Sequence, residues 1–267
     1  LLQNQGDGTF RGVARAAGVA LQHRTFATWF FDYDNDGWLD LFVTSYDATL
    51  ADVCADHLGQ AFDAHPPSLF HNRGDGTFED IARTHGLNHA WLPMGANFGD
   101  LDNDGWLDLF VGASDYAGNH GLLYHQQAPL QFVEVPVEVG IDHNRSHGVA
   151  IADFDRDGDL DLVAGHSHSR CDPAGPNNCY ATRQVRFFED VRGDGGNWVQ
   201  LGGRGGRGRK SGAVGARVGH EAIAVTRAGE VRGGHGHYGA KNDRVVHSGI
   251  VAQCDGRFTI YWPDAWR

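Results

Sequence analysis

The sequence has little methionine, little proline and no apolar run of about 18 residues or more. Because a membrane-spanning helix needs such a run, we expect no membrane span. Basic residues are also scarce: 22 Lys and Arg stand against 34 Asp and Glu, which gives a formal net charge of -12. A surface of this sign repels phosphate, so a nucleic-acid partner is not expected.

Common catalytic motifs are missing as well. Neither Gly-x-Ser-x-Gly nor His-Glu-x-x-His occurs, and no Cys-x-x-Cys is formed by the 4 cysteines. The sequence therefore gives no support to a nucleophile-elbow hydrolase, a zinc protease, a zinc ribbon or a thioredoxin-type redox site. We expect a non-catalytic protein, although an active site built from loops that are distant in sequence would leave no motif.

Glycine, in contrast, is abundant, with 38 residues beside 8 Pro. Glycine supplies the backbone conformations of tight turns, which favours many short strands over long helices. The 267 residues, 41% of them apolar and 21% charged, suffice for a globular core in one large repeat domain or two modest ones.

Acidic residues recur in three nine-residue windows, 32–40, 100–108 and 153–161, with the pattern Asp-x-Asp-x-Asp-Gly-x-x-Asp. Carboxylates at alternating positions repel one another unless a cation neutralises them. Oxygen ligands at positions 1, 3 and 5, a turn-forming Gly at position 6 and a backbone carbonyl at position 7 are how the first half of an EF-hand loop wraps Ca²⁺. The three windows therefore predict about three calcium sites.

The windows differ from EF-hand loops in how they are closed. An EF-hand needs Glu at position 12 and flanking helices, whereas position 12 here is Val43, Val111 or Ala164 and the flanks are short β-prone runs. We therefore expect strand–loop–strand hairpins that are closed by the Asp at position 9. The predicted ligands, with the position-7 residue contributing its backbone carbonyl, are Asp32, Asp34, Asp36, Trp38 and Asp40; Asp100, Asp102, Asp104, Trp106 and Asp108; and Asp153, Asp155, Asp157, Asp159 and Asp161.

The windows belong to internal repeats. Residues 4–10 reappear as 72–78, and the same offset of 68 residues carries Asp32 to Asp100. A looser third copy contains the third window, and a fourth begins near Phe187. Units of this size cannot bury an apolar face alone, so the repeats predict a propeller or another stacked β array.

The Asn-x-Gly-Asp-Gly-Thr-Phe turn followed by Phe-x-Asp-x-Asp-Asn-Asp-Gly-x-x-Asp-Leu-Phe-Val resembles the FG-GAP/VCBS repeats of integrin-α-like β-propellers, over residues 1–195. The remainder, residues 196–267, resembles the ASPIC/UnbV domain of cartilage-acidic-protein-like proteins through 197–201, 212–218, 234–238 and 261–264. The resemblance implies an all-β protein in which propeller blades precede a small β-rich domain. Three blades and a remnant are fewer than the roughly seven of such propellers, so we expect an incomplete ring or a fragment.

Cysteine usage indicates the compartment. Cys171 and Cys179 lie at the two ends of a Pro- and Gly-containing loop and can meet, which predicts a local disulfide, whereas the pairing of Cys54 and Cys254 stays open. A disulfide and calcium loops together predict an extracellular or periplasmic location. Because the sequence begins with Leu1 and carries no leader, we expect any signal peptide to have been removed or left out.

These features favour a calcium-stabilised module that displays loops to a protein or a cell-surface glycan. An Ala-, Asp- and His-rich insertion between Tyr46 and Ser68 is one such loop, predicted as a surface excursion. Two alternatives stay open: a secreted propeller enzyme, a hydrolase or lyase with a loop-built site at residues such as His166 and His168, and a subunit of a larger extracellular assembly.

Overall fold

Among the described residues, the regular secondary structure consists almost wholly of short antiparallel strands, which confirms the predicted all-β class. The strands form several small sheets, and within the described part of the chain one α-helix accompanies them. The structure is a computed structural model that describes residues 1–114, 119–127, 130–137, 141, 143, 146–166, 174, 185–191, 197–202, 216–222, 225–230, 245–250 and 257–261.

Three sheets follow one another along the chain, and in each the strand order is the chain order. Each is an antiparallel meander in which every strand pairs with the next one. The first sheet contains β3 (Thr28–Phe31), β4 (Asp40–Val43), β5 (Ser68–Asn72) and β6 (Phe78–Asp80); the second contains β7 (Ala96–Gly99), β8 (Asp108–Val111), β9 (Leu122–Gln127) and β10 (Gln131–Val135); and the third contains β11 (Gly148–Ala152), β12 (Asp161–Gly165) and β13 (Val185–Phe188).

A separate hairpin of β1 (Leu2–Asn4) and β2 (Phe10–Gly12) precedes these sheets. Its turn is the Gly-Asp-Gly motif, in which Gly6 and Gly8 have φ of 83° and 89°. The Asp7 carboxylate accepts hydrogen bonds from the backbone N–H and the hydroxyl of Thr9, at 2.9 and 2.6 Å. The turn between β5 and β6 repeats both bonds at the same distances. The repeat in the sequence therefore corresponds to a repeated hairpin, which is β1–β2 in the first copy and β5–β6 in the second.

Apolar side chains fill the space between consecutive sheets. Trp29 of the first sheet stacks on Phe98 of the second, with ring centroids 5.3 Å apart, inside one buried cluster. A second cluster joins Phe110 of the second sheet to Ile151 and Leu162 of the third. Antiparallel meanders that stack through such clusters are arranged like the blades of a propeller-like array.

The insertion after β4, predicted as a surface loop, contains the helix α1 (Leu50–His57). Thr49 and Asp52 form a capping box at its start, so the first turn has side-chain acceptors for its free N–H groups. The Asp56 carboxylate holds the helix against the segment before β7 by accepting a hydrogen bond from the Ala90 N–H at 2.9 Å. No helix of the described residues is long and apolar enough to span a membrane.

The C-terminal strands pair only with one another within the described residues. The predicted domain boundary between residues 195 and 196 lies outside the description and stays a prediction. These strands form two sheets, of β14 (Asn197–Gly202) with β17 (Val245–Ile250), and of β15 (Arg217–Ala222) with β16 (Val225–Glu230) and β18 (Arg257–Tyr261).

The predicted disulfide cannot be placed, because Cys171 and Cys179 lie outside the described residues. Cys254 and His168 also lie outside them. Cys54 is described, lies exposed on α1 and forms no disulfide with another described residue.

Candidate metal centre

The three acidic windows occupy the same place in each sheet. They form the hairpin loops β3–β4, β7–β8 and β11–β12, here called loops 1, 2 and 3. In each loop the residue at position 4, which is Asn35, Asn103 or Arg156, has a positive φ of 59°, 58° or 71°. The Gly at position 6 also has a positive φ in every loop. Two left-handed residues so close together curl the loop and bring its carboxylates to one side.

Backbone N–H groups hold the carboxylates of each loop. At position 3 the carboxylate accepts from the N–H of position 5, at 3.2 Å in all three loops. At position 9 it accepts from the N–H of position 2 and from an N–H on the third strand of the sheet or, in loop 3, just after that strand. For Asp40 these donors are Tyr33, at 3.3 Å, and Asn72, at 2.8 Å. The position-9 Asp therefore ties the loop to two strands, and loops 2 and 3 repeat this pair of bonds.

The loops bring most of the predicted ligands together. In loops 1 and 3, carboxylate oxygens from positions 1, 3 and 9 lie within 4.8 Å of one another, and in loop 2 those from positions 1, 3 and 5 do so. In loop 1, position 5 joins a second group of the same size, whereas Asp157 at position 5 of loop 3 is in no such group among the described residues. At position 7, Trp38, Trp106 and Asp159 donate their N–H groups to the carboxylate at position 5. Ligation by the position-7 carbonyl stays a prediction.

Burial makes these carboxylates unfavourable as anions. Asp32, Asp40 and Asp100 have exposed fractions of 5%, 0% and 3%. Burial is the main cause that raises the pKa of Asp32 to about 7, and the neighbouring carboxylates Asp34 and Asp36 add to it. Burial likewise raises the pKa of Asp40 to about 8 and that of Asp100 to about 7. A cation among these groups would stabilise their charged forms and so counter the shift.

Asp32 carries an unsatisfied acceptor at the centre of loop 1. Its Oδ2 accepts a hydrogen bond from the Gly37 N–H at 3.0 Å, whereas its buried Oδ1 has no hydrogen-bond partner among the described residues. Asp32 belongs to the group of carboxylates that also contains Asp34 and Asp40. A buried oxygen without a donor, grouped with two other carboxylates, fits a hard cation.

Two histidines beside the loops were missed from the sequence. His71 on β5 places its Nδ1 3.2 Å from Asp34 Oδ2 and 3.4 Å from Asp40 Oδ1. His125, at the equivalent place on β9, places its Nδ1 2.9 Å from Asp108 Oδ1. This hydrogen bond is the main cause that raises the pKa of His125 to about 9. The only signal in the sequence was the shared aromatic-His-amide order of 70–72 and 124–126, which means nothing until the strands are paired.

The third sheet has no imidazole at this place. In the first two sheets the aromatic residue before the histidine, Phe70 or Tyr124, pairs with the leucine that follows the position-9 Asp. In the third sheet Phe188 pairs with the equivalent Leu162, so Glu189 occupies the position of the histidines. Loop 3 is thus bordered by a further acidic residue rather than by a base.

Comparison with known families supports the repeat assignment. The model of the FG-GAP-like repeat matches residues 52–111 and again residues 105–164. These two matches contain loops 2 and 3, and loop 1 is related to loop 2 by the offset of 68 residues.

Two curated relatives have the same name. The chain is 28% identical to cartilage acidic protein 1 of Mus musculus over 181 residues, which cover 66% of this chain and 26% of the relative. It is 26% identical to cartilage acidic protein 1 of Xenopus tropicalis over 280 residues, which cover 99% of this chain and 38% of the relative. The chain thus spans well under half of the length of either relative. The chain therefore contains FG-GAP-like repeats over residues 52–164 and is similar in sequence to cartilage acidic protein 1.

Proposed function

We propose that this chain is an extracytoplasmic module in which loops 1–3 bind Ca²⁺ and so stabilise a stack of blades that presents its other loops to a protein or a glycan. The observation that carries the proposal is the Oδ1 of the buried Asp32, which has no hydrogen-bond partner in the described part of the chain and is grouped with Asp34 and Asp40. Loops 2 and 3 form comparable carboxylate groups.

The ligand chemistry favours calcium over transition metals. Three of the groups, one in each loop, consist of carboxylates alone, and hard oxygen ligands without thiolates suit Ca²⁺ or Mg²⁺. Magnesium prefers to keep several waters, whereas calcium accepts many protein oxygens at once. Bound there, Ca²⁺ would supply positive charge: Asp32, Asp34 and Asp40 would hold it in loop 1, and Asp153, Asp155 and Asp161 in loop 3. In loop 2 the holding residues would be Asp100, Asp102 and Asp104.

The location follows from the same chemistry. Calcium sites of moderate affinity stay loaded only where calcium is plentiful, which is outside the cytoplasm. Both relatives have "cartilage" in their name, and cartilage is an extracellular matrix. The predicted Cys171–Cys179 disulfide, which also requires an oxidising compartment, is part of this proposal.

The partner is proposed to be a protein or a glycan because the blades themselves carry no catalytic motif and their insertion lies at the surface. The helix α1 contains no buried residue, so it is available for contact. The C-terminal residues 196–267 are proposed to be an ASPIC/UnbV-like domain.

Terbium luminescence tests calcium binding directly, since Tb³⁺ occupies oxygen-ligand calcium sites and emits when a nearby tryptophan is excited. Trp38 and Trp106 stand at position 7 of loops 1 and 2, whereas loop 3 has Asp159 there. We expect Trp38→Phe and Trp106→Phe each to remove part of the emission and Ca²⁺ to displace the rest. Calorimetry should count about three calcium ions. A folded chain that binds neither ion would overturn the proposal.

The display role needs a separate measurement. The calcium-loaded chain is screened on a glycan array and against panels of extracellular proteins, with and without chelator. A ligand that is retained only with calcium supports the role. A calcium-loaded chain that turns over a sugar substrate and retains no ligand contradicts it.

A further inference from the structure

The three acidic loops are joined in a row by their position-4 side chains. The Asn35 Nδ2 of loop 1 donates a hydrogen bond to the carbonyl of Gly105 in loop 2, at 3.2 Å. The Asn103 Nδ2 of loop 2 donates in the same way to the carbonyl of Gly158 in loop 3, at 3.1 Å. Each bond fixes the position-6 carbonyl of the next loop, directly before the position-7 residue that is predicted to ligate calcium.

At loop 1 this row ends on the C-terminal sheets. The carbonyl of Gly37, at position 6 of loop 1, accepts its hydrogen bond from the guanidinium of Arg217 on β15. The same guanidinium lies 3.7 Å from Asp32 Oδ2. Arg217 thus takes the place that a position-4 asparagine takes at the other two loops.

The C-terminal sheets also reach loops 2 and 3, and at the same position of each loop. The backbone N–H of Gly249 on β17 donates to Oδ2 of Asp100, at 2.8 Å. The side-chain amide of Gln200 on β14 donates to Oδ2 of Asp153, also at 2.8 Å. With Arg217 beside Asp32, all three position-1 aspartates are contacted by the C-terminal sheets.

Close packing accompanies these polar contacts. His247 on β17 forms a hydrogen bond to Asn103 Oδ1 at 2.8 Å and stacks on Trp198 of β14, with ring centroids 5.8 Å apart. The indole of Trp198 lies against Gly158, where any side chain would collide with it. Gly249 lies equally close to the Asn103 backbone. The two surfaces therefore fit each other at glycines that leave no space for a side chain.

We propose that the C-terminal sheets (β14–β18) are an intramolecular partner of loops 1–3, and that calcium binding to these loops and docking of the sheets strengthen each other. The calcium half of this proposal rests on the proposed function. A bound ion holds the loop carbonyls and the position-1 carboxylates in one arrangement, so the donors of the C-terminal sheets find their acceptors already in place. Because coupling between two sites is reciprocal, docking raises calcium affinity by the same factor as calcium raises docking.

The charges permit docking in the calcium-loaded state, and the strengthening itself comes from the ordered acceptors. Loop 1 carries four aspartates at positions 1, 3, 5 and 9, so with all four ionised and one Ca²⁺ bound its charge is -4 + 2 = -2. The calcium-loaded loop therefore still attracts the Arg217 guanidinium. Asp100 and Asp153 offer the C-terminal donors a carboxylate oxygen that retains a second lone pair for an ion.

Hydrogen–deuterium exchange of the full chain tests the coupling. The exchange is measured in peptides that cover residues 197–202 and 245–250. These strands contain none of the proposed calcium ligands, yet we expect chelation to raise their exchange. Arg217→Gln should raise it even in calcium and weaken calcium binding about fivefold. Arg257→Gln, which removes an exposed arginine of β18 in the same sheet, is the matched control and should change neither quantity. Gln200→Ala repeats the test at loop 3.

The outcomes separate the two proposals. Intact calcium binding together with unchanged exchange of these strands on chelation would overturn the coupling and leave the proposed function standing. Absence of calcium binding would overturn both. Equal exchange in Arg217→Gln, Gln200→Ala and Arg257→Gln would overturn the docking surface itself.

Discussion

Loops 1 and 2 differ from loop 3 although all three have the same acidic pattern. Asp32 and Asp100 at position 1 are buried, whereas Asp153 is partly exposed. The first two accept a hydrogen bond from the Gly at position 6, and Asp153 accepts instead from the N–H of Arg156 at position 4, at 2.6 Å. The pattern thus determines which side chains converge, and the surroundings determine how strongly they need a cation.

The neighbouring strand acts against this difference, because an imidazole can supply positive charge and a carboxylate cannot. An imidazole borders loops 1 and 2 and the carboxylate of Glu189 is at the equivalent place beside loop 3. Because burial is the largest cause of the raised pKa values of Asp32 and Asp100, we still expect loops 1 and 2 to account for most of the stability that depends on calcium, and loop 3 to behave as a more open site.

Calcium removal should give the largest effect. A site with a dissociation constant of about 10 μM contributes about 2.7 kcal/mol at roughly 1 mM calcium, so three sites contribute about 8 kcal/mol. The melting temperature should fall by about 15–30 °C when excess chelator replaces calcium. Calorimetric melting in the two buffers measures it. An unchanged melting temperature would show that the aspartates do not act through calcium.

The calcium-free chain should respond strongly to pH, because its buried carboxylates in loops 1 and 2 have raised pKa values. Those of Asp32, Asp40 and Asp100 are about 7, 8 and 7. An aspartate with a raised folded-state pKa favours folding below its unfolded value, and this contribution is lost as pH rises through the folded value. In chelator, stability should therefore fall between about pH 4 and pH 8.

Calcium should flatten this dependence, since the ion replaces the proton as the source of positive charge. Melting curves across this range, with calcium and with chelator, check the prediction. A calcium-free chain that becomes more stable as pH rises through the same range would contradict it.

Single-loop variants sharpen the comparison between loops 1 and 3. Asp32→Ala should remove about 2.7 kcal/mol of calcium-dependent stability, which lowers the melting temperature by about 5–10 °C in calcium. Asp153→Ala, the matched change at the exposed loop, should lower it less. In chelator Asp32→Ala should be as stable as the wild type or more stable, because the variant lacks a buried charge. The reverse order of the two variants in calcium would refute the ranking of the loops.

The imidazole of His125 beside loop 2 should contribute most to the stability of the chain when calcium is absent. His125→Ala removes a charge-assisted hydrogen bond to Asp108, which contributes about 1.5–3 kcal/mol. Because the folded-state pKa of His125 is raised to about 9, this contribution is full below the ordinary value and is lost as pH rises through about 9. Chemical denaturation in chelator at neutral pH measures it. Glu189→Ala, at the equivalent place beside loop 3, should show no such loss.

The smallest effect is expected at the bonds between loops. Asn35→Ala removes the hydrogen bond to the Gly105 carbonyl, worth about 1 kcal/mol, and should weaken calcium binding at loop 2 slightly. Arg156→Ala changes the same position in loop 3, beyond which the row has no further loop, and should leave calcium binding at loop 2 unchanged. Terbium emission through Trp106 reports loop 2 in both variants. If Asn35→Ala and Arg156→Ala have equal calcium affinities at loop 2, the loops bind calcium independently.

Several features of the site were predictable because they depend on neighbours in the sequence. The Asp-x-Asp-x-Asp-Gly pattern predicts a curled hairpin loop, and the structure shows it with left-handed residues at positions 4 and 6. The Gly-Asp-Gly turns were equally local. The capping box of α1 was also present in the sequence, as Thr49 followed by Asp52, but was not interpreted as a helix start.

The sequence by itself determined the all-β class, the repeats and the groups of carboxylates, because strand alternation, glycine turns and ligand spacing act over about ten residues. Only the tertiary structure decided that His71 and His125 border the loops, since strand pairing brings them there from a distant segment. It alone placed Arg217 at Gly37, 180 residues away. Such contacts depend on how whole sheets pack, and no pattern within one segment records the packing of another.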